Sequence, residues 1–211
     1  MKPSPAIRSG RIDVKRSERA LYHAPTGSFE LIDVPELPLV MVDGHGDPNR
    51  TPQYLDAVHW LYASSYAARF ALKAEGLDYV VPPLEGLWWA DDPSSFVARR
   101  KDEWRWTMMI RAPAALDQDR FAQATGKAAK KLGTAPPSLR LARLAEGRCL
   151  QTLHIGAYDD EGPTLARLHD EVMPAQGWTF AGPHHEIYLS DPRRTDAARL
   201  KTILRQPVRS R

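Results

Sequence analysis

The sequence has a single cysteine, Cys149, so it forms no intrachain disulfide and offers no cysteine-rich zinc site. No apolar run approaches the ~20 residues that a membrane-spanning helix needs. The opening residues, MKPSPAIRSGRIDVKRSER, contain no apolar core of the kind a secretory signal requires, so the expected compartment is the cytoplasm. No GxSxG elbow, phosphate loop, HExxH or CxxC occurs. These absences remove the common nucleophile, nucleotide and metalloprotease chemistries. Hydrophobic residues at 43% and charged residues at 26% of 211 positions are ordinary for a globular chain, and they exclude wholesale disorder, collagen repeats and coiled coil.

Charge is unevenly spread. The net charge of +3 conceals +4 over residues 1–20, +6 over 192–211 and −7 over the rest. The basic ends are read as solvated tails. An acidic body repels phosphates, which argues against nucleic acid as a partner.

Hydrophobic periodicity gives the coarse organisation. Residues 1–28 are polar and aperiodic, and read as a flexible or strapping segment. The run Leu37 to Val42 predicts a buried strand, broken by Gly44, Gly46 and Asp47-Pro48. Thr51 and Pro52 predict a helix start, and the spacing of Tyr54, Val58, Leu61, Ala68 and Leu72 carries that helix to about Glu75. Strands are expected at 79–90 and 104–111, then a helix from Asp117 to Leu132. The order then repeats: a strand at Cys149 to Tyr158, the loop GAYDDEGPT, a helix at 164–173, and strands at 184–189 and 202–208.

The expected fold is therefore α+β, with two βαββ repeats related by a pseudo-two-fold axis. They form one antiparallel sheet with helices on one face and a ligand groove. The domain is expected over 29–208, with repeats at about 29–135 and 136–208. Aligning LEGLWW with HEIYLS makes Glu85 and Glu186 equivalent.

Strand alternation sorts the candidate residues by face. His184, Glu186 and Tyr188 share one side of their strand, and His185, Ile187 and Leu189 the other. Adjacent residues on a strand diverge, so His184, His185 and Glu186 cannot chelate one metal together, and no metal is expected. Four of the six tryptophans fall within residues 88–106. They are either core or flat surfaces that stack an aromatic or cationic ligand. A carboxylate within a strand needs compensation. Glu186 is either ion-paired, with Arg193, Arg194 or a histidine as candidates, or poised at a pocket floor as a base; Glu85 has the same two readings.

The segments ELIDVPELPLVMVDGHGDPN, YVVPPLEGLWW and HHEIYLSDPRRTDAARLKTILRQPV resemble the GyrI-like small-molecule-binding family, over roughly residues 20–208. LEGLWW and EIYLSDPRR resemble its stand-alone subfamily, which lacks a DNA-binding domain. The resemblance implies a pseudo-two-fold groove for planar or cationic drug-like molecules, contacted by a glutamate at the position of Glu186. The closer subfamily hydrolyses cyclopropanoid DNA-alkylating compounds with an aromatic cage, for which Trp88, Trp89, Trp106, Tyr66 and Tyr188 are the candidates here. The implied function is detoxification without metal or organic cofactor. Glu186 or Glu85 would act as base, and a tyrosine or His184 as hydrogen-bond donor. The rival reading is a non-catalytic binder or sequestering protein. The implied partner is a small molecule, with neither nucleic acid nor membrane, and the sequence names no protein partner.

Overall fold

The computed structural model describes residues 11–92 and 94–211. Nine strands are present among them: β1 (Glu30–Val34), β2 (Leu37–His45), β3 (Leu84–Trp89), β4 (Arg105–Arg111), β5 (Arg140–Leu144), β6 (Gly147–Ile155), β7 (Trp178–Phe180), β8 (His184–Tyr188) and β9 (Lys201–Ser210). Three longer helices accompany them, with short helical turns at Val14–Ser17, Arg19–Tyr22 and Ser94–Val97. α1 is Pro52–Ala74 and α2 is Gln118–Leu132. α3 is composite, with Gly162–Ala166 in α geometry, Arg167–Val172 in π geometry and Met173–Ala175 again in α geometry.

The strands form one antiparallel sheet in the order β1-β6-β9-β8-β3-β4-β2-β5, and β7 adds to the far end of β9. This order is a palindrome of the two repeats. β2, β3 and β4 occupy the places of β6, β8 and β9, and the repeats meet at the β3–β8 seam. Each repeat also lends its first strand to the other: β1 pairs with β6, and β5 with β2.

Only Pro35 and Glu36 join β1 to β2, and only Ala145 and Glu146 join β5 to β6. Three residue steps reach at most about 11 Å. Along a flat sheet in this order, β1 and β2 would lie roughly 29 Å apart, six strand spacings. The sheet must therefore curl until its two ends approach. Both faces of the strands are then covered, which is why β2 and β4 read as continuous apolar runs and not as alternation.

The interior of the curl holds Leu37, Leu39, Met41, Leu87, Met109, Cys149, Ile187 and Ile203. Residues 11–28 lie against the body. Ile12 bridges Tyr79, Thr26 bridges Leu153, and Leu21 and Tyr22 enter the interior core. The first ten residues of the expected tail lie outside the described residues. The opposite face carries the helices. Val40, Val42, Trp106, Met108 and Ile110 pack beneath α1 and α2, and Leu150 and Val208 pack beneath α3.

Several sequence expectations are adjusted. The C-terminal basic run is not a solvated tail: β9 lies between β6 and β8, and residues 202–208 are buried. The strand expected at 79–90 is confined to Leu84–Trp89, because Pro82 and Pro83 supply no backbone donors. Thr51 is the N-cap of α1, but its side chain makes no capping bond. Asp117 does cap α2, accepting from the Arg120 backbone N–H.

The interior also holds a chain of buried polar groups. Tyr22 Oη donates to Glu85 Oε1 at 3.1 Å, and Glu85 Oε2 lies 3.1 Å from His185 Nε2. His185 Nδ1 lies 2.9 Å from Glu146 Oε1, and Glu146 Oε2 lies 3.4 Å from Arg205 Nη1. Arg205 in turn donates to the Leu21 carbonyl at 2.6 Å, fastening the N-terminal segment. Burial opposes the charge on His185, yet Glu146 and Glu85 outweigh it and push its pKa up to about 9. Burial likewise opposes the Glu146 carboxylate, and His185 and Arg205 overcome it and hold its pKa below the ordinary range.

A raised histidine pKa stabilises the fold fully below the unfolded value of ~6.5. That stabilisation is lost as pH rises through about 9. Thermal melts should therefore show the midpoint falling between pH ~6.5 and 9. His185→Ala strands two buried carboxylates, so we expect a loss of about 3–5 kcal/mol and a melting temperature that no longer falls across that window. A variant melting like the parent at all pH values would contradict this role.

Candidate functional site

On the helix-bearing face, the β3–β8 seam lies between the strands that pack beneath α1 and those that pack beneath α3, and this is the expected position of the groove. The ladder pairs Leu84 with Tyr188, Gly86 with Glu186 and Trp88 with His184 across the seam, so all six share the groove face. Matching β1–β2 onto β5–β6 and β3 onto β8 makes Gly86 the counterpart of Glu186. The expected equivalence of Glu85 and Glu186 is thus wrong by one residue. A one-residue slip changes the face, and Glu85 lies in the interior beside His185.

Glu186 lies at the centre of the seam, opposite Gly86. Its Oε2 accepts from the Tyr188 hydroxyl at 2.7 Å, and its Oε1 lies 3.6 Å from His184 Nε2. The Tyr188 oxygen accepts in turn from Trp88 Nε1–H at 3.0 Å. Gly86 makes this relay possible. A Cβ there would meet Trp88 Nε1 at 2.9 Å and Met108 Sδ at 3.1 Å, so only glycine lets the indole fold back over its own strand. Arg193 and Arg194 do not reach Glu186; both pair with Asp191. Among the described residues no lysine or arginine forms a salt bridge with it.

The walls are aromatic. Tyr54 from α1 stacks near Trp88 with centroids 6.3 Å apart and meets the edge of Trp106 at 5.3 Å. Tyr158, in the turn before α3, meets Tyr188 edge to face at 5.5 Å. Trp104 backs Trp88 at 6.0 Å. Burial, with Glu186 as the next cause, pushes the Tyr54 and Tyr188 hydroxyls well above their ordinary pKa. Burial, then Glu161 and Glu186, raises Tyr158 to about 12. These hydroxyls are neutral donors at physiological pH.

A second carboxyl completes the site. Glu161, at the N-cap of α3, is only 4% exposed and faces Glu186 and Thr202. Burial first, and Glu186 second, raise its pKa to about 10, so it is a neutral acid at pH 7. His169 of α3 is held neutral by burial and by His184, with a pKa lowered to about 4.

The expected residues are thus divided. Glu186, Tyr188, His184 and Trp88 come together in the groove. Trp106 is fully buried beneath α1 and supports Tyr54 from below. Trp89 points to the other face, against the interior core, and Glu85 is sealed inside. Tyr66 stands on the outer side of α1, 45% exposed, between Tyr62 and Phe70. Tyr54, Tyr158, Glu161 and Thr202 were not singled out from the sequence. Tyr54 was counted into the apolar stripe of its helix, and Glu161 was hidden in the acidic run YDDEG. Among the described residues no three His, Cys, Asp or Glu side chains gather as a metal site would need.

A separate open concavity of about 1270 Å³ lies where β2 meets β4, bordered by Asp43, Asp91, Asp102, Arg105, Arg140 and Trp89. Asp43 and Asp91 there are paired with Arg140 and Arg105, each at 2.7 Å. Its surface charges are paired and Trp89 is the single Phe, Tyr or Trp in its lining, so the aromatic cluster around Glu186 suits a planar ligand better.

The model of the GyrI-like small-molecule-binding domain matches residues 28–209. The chain is similar to an uncharacterised conserved protein from Listeria innocua, at 37% identity and a TM-score of 0.86 over 94% of this chain and all of that one. It is also similar to a hydrolase from Listeria innocua, at 36% identity and a TM-score of 0.81 over 94% of this chain and all of that one. The C-terminal domain of EcmrR shares the fold, at 12% identity and a TM-score of 0.55 over 87% of this chain and 98% of that one. No curated protein matches the sequence. A domain match over almost the whole length, together with relatives above 30% identity, places this chain in the GyrI-like small-molecule-binding family.

Proposed function

We propose that this protein binds planar aromatic or cationic xenobiotics in the groove between α1 and α3, and hydrolyses cyclopropanoid DNA-alkylating compounds there. The observation that carries the reading is Glu186. It is a largely buried carboxyl with no lysine or arginine salt bridge, held by the Tyr188 hydroxyl at 2.7 Å among aromatic walls. A carboxylate with a histidine beside it but no lysine or arginine pairing it, in a partly desolvated site, suits a general base. The similarity to a Listeria hydrolase supports the same reading.

The substrate class is a strained cyclopropane fused to a conjugated dienone on a flat ring system. Tyr54, Trp88 and Tyr158 present ring faces and edges to such a system and hold its reacting carbon near Glu186. Glu186 removes a proton from water as the water oxygen attacks the cyclopropane methylene. The C–C bond breaks, and its electron pair moves through the ring to the carbonyl oxygen, which becomes a phenolate. A neutral hydrogen-bond donor in the groove stabilises that oxygen. Glu85 takes no part, because it faces the interior.

Turnover of a cyclopropanoid alkylator, followed by loss of its dienone absorbance, tests the reading. Substoichiometric protein should clear the compound. Glu186→Gln should lower turnover about 10²–10⁴-fold while ligand binding still quenches tryptophan fluorescence. Stoichiometric quenching without product would make the protein a sequestering binder. Removing one hydrogen bond to the base is a smaller change. Tyr188→Phe should weaken turnover about 10-fold, in line with a loss of 1–3 kcal/mol. Gly86→Ala should act in the same direction by displacing the Trp88 indole, read as a shifted fluorescence maximum before any ligand is added.

A further inference from the structure

Glu186 and His184 are nearly covered, with side chains only 14% and 12% exposed. A flat multi-ring ligand therefore reaches them only when a covering element moves. The ladder shows which connection crosses this site. β3 ends at Trp89 and β4 begins at Arg105, both at the end of the seam where Trp88 pairs with His184. Tyr158 and Asp159 follow β6, whose last residue, Ile155, pairs with Lys201. Next to Lys201, Thr202 pairs with Tyr188, and Tyr188 with Leu84, so the turn before α3 leaves from the opposite end. Leu84 and Trp88 lie roughly 13 Å apart along their strand. Yet Arg99 and Lys101, from the β3–β4 connection, both pair with the Asp159 carboxylate, Lys101 at 3.2 Å. Arg99 also donates to the Asp159 carbonyl at 3.3 Å. Phe96 and Trp104 pack against the core that contains Trp88, and Tyr158 rests on Tyr188. The connection thus bridges the length of the seam on the face that carries Glu186, and it ties the two repeats together there.

α1 and α3 press on apolar cores, whereas the far end of this bridge is held by exposed charge. The Arg99 and Asp159 side chains are 51% and 68% exposed, where water and salt screen an ion pair. Arg99 also sits at a φ of 52°, a left-handed backbone that strains a non-glycine residue. Opening relieves that strain. Segments held by few buried contacts are the ones that open first. We propose that residues 96–104 form a lid over the site at Glu186, latched by Arg99 and Lys101 on Asp159, and that ligand enters and leaves when the latch opens. The proposal rests on the binding part of the reading above and not on hydrolysis. Phe96 and Trp104, with ring centroids 4.9 Å apart, anchor the lid to the core. The exposed residues 98–100 between them are the part that swings. The latch also holds the turn that carries Tyr158, so closing it brings that aromatic wall against Tyr188.

Stopped-flow fluorescence on the full chain tests this with aminoanthracene, a planar probe whose neutrality keeps salt from steering it. Asp159→Asn removes the anchor of both cations. It should raise entry and release rates together by about 5-fold and leave affinity unchanged, as fits the loss of exposed ion pairs. Salt at ~1 M should bring the wild type up to the rates of the variant and leave the variant unaffected. Amide hydrogen exchange over residues 96–104 should quicken in Asp159→Asn before any ligand is added. Conversely, a short bismaleimide joining Arg99→Cys to Asp159→Cys should stop entry; the buried Cys149 is spared by the reagent. Wild-type rates in Asp159→Asn, or a cross-linked protein that binds as fast as its open form, overturns the lid and leaves the binding reading standing. If neither aminoanthracene nor the cyclopropanoid alkylator binds the wild type or Asp159→Asn, the binding reading falls and the lid with it.

Discussion

The two short links, Pro35-Glu36 and Ala145-Glu146, constrain everything else in this molecule. Each must carry the chain between opposite ends of the strand order, so the sheet has no choice but to curl. The curl gives every central strand two buried faces. Odd-numbered positions on β2, β3, β4 and β8 turn to the interior, and even-numbered positions turn to the helices. It also places the β3–β8 seam at the centre of the outer face. There the packing beneath α1 gives way to the packing beneath α3, at the pseudo-two-fold axis.

The two faces of that seam solve opposite electrostatic problems one residue apart. Inside, His185 is clamped between Glu85 and Glu146, and Arg205 completes the set, so the buried charges are compensated and fix the N-terminal segment in place. Outside, Glu186 has the Tyr188 hydroxyl and His184 beside it and no lysine or arginine, and burial first and Glu186 second push the buried Glu161 toward its neutral form. Compensated buried charge serves stability, whereas a buried carboxyl without a full counter-charge marks a candidate site. The pseudo-symmetry is broken in chemical character here, with Gly86 standing as the counterpart of Glu186. A symmetric sheet therefore carries one site, not two, and the vacated side chain makes room for the Trp88 indole.

Much of the architecture was legible in periodicity. α1, α2, β4, β6, β8 and β9 lie where the apolar spacing and the turn residues put them, because each buries a face that sequence spacing encodes. β1, β5 and β7 were not found. ELIDV and RLARL carry polar residues on a five-residue strand at the sheet edge, and WTF is too short to show a period. Their pairing is with the other repeat or with the far end of β9, and no local pattern states that.

The sequence by itself determined the repeat order and the family, and it singled out Glu186 as a candidate, because alternation on 184–188 and the EIYLSDPRR block are local properties. Only the tertiary structure decided which carboxyl is its companion. Glu85 looked equivalent in a linear alignment, but a register one residue away turns it into the interior, while Glu161 arrives from a loop on α3 that spacing does not connect to β8. Likewise, which tryptophans are core was settled by curvature: Trp88 and Trp106 share a face, yet Trp106 lies sealed under α1 while Trp88 sits at the seam, where the helices part. Faces are set by neighbours along the chain, whereas proximity between faces is set by closure of the whole sheet.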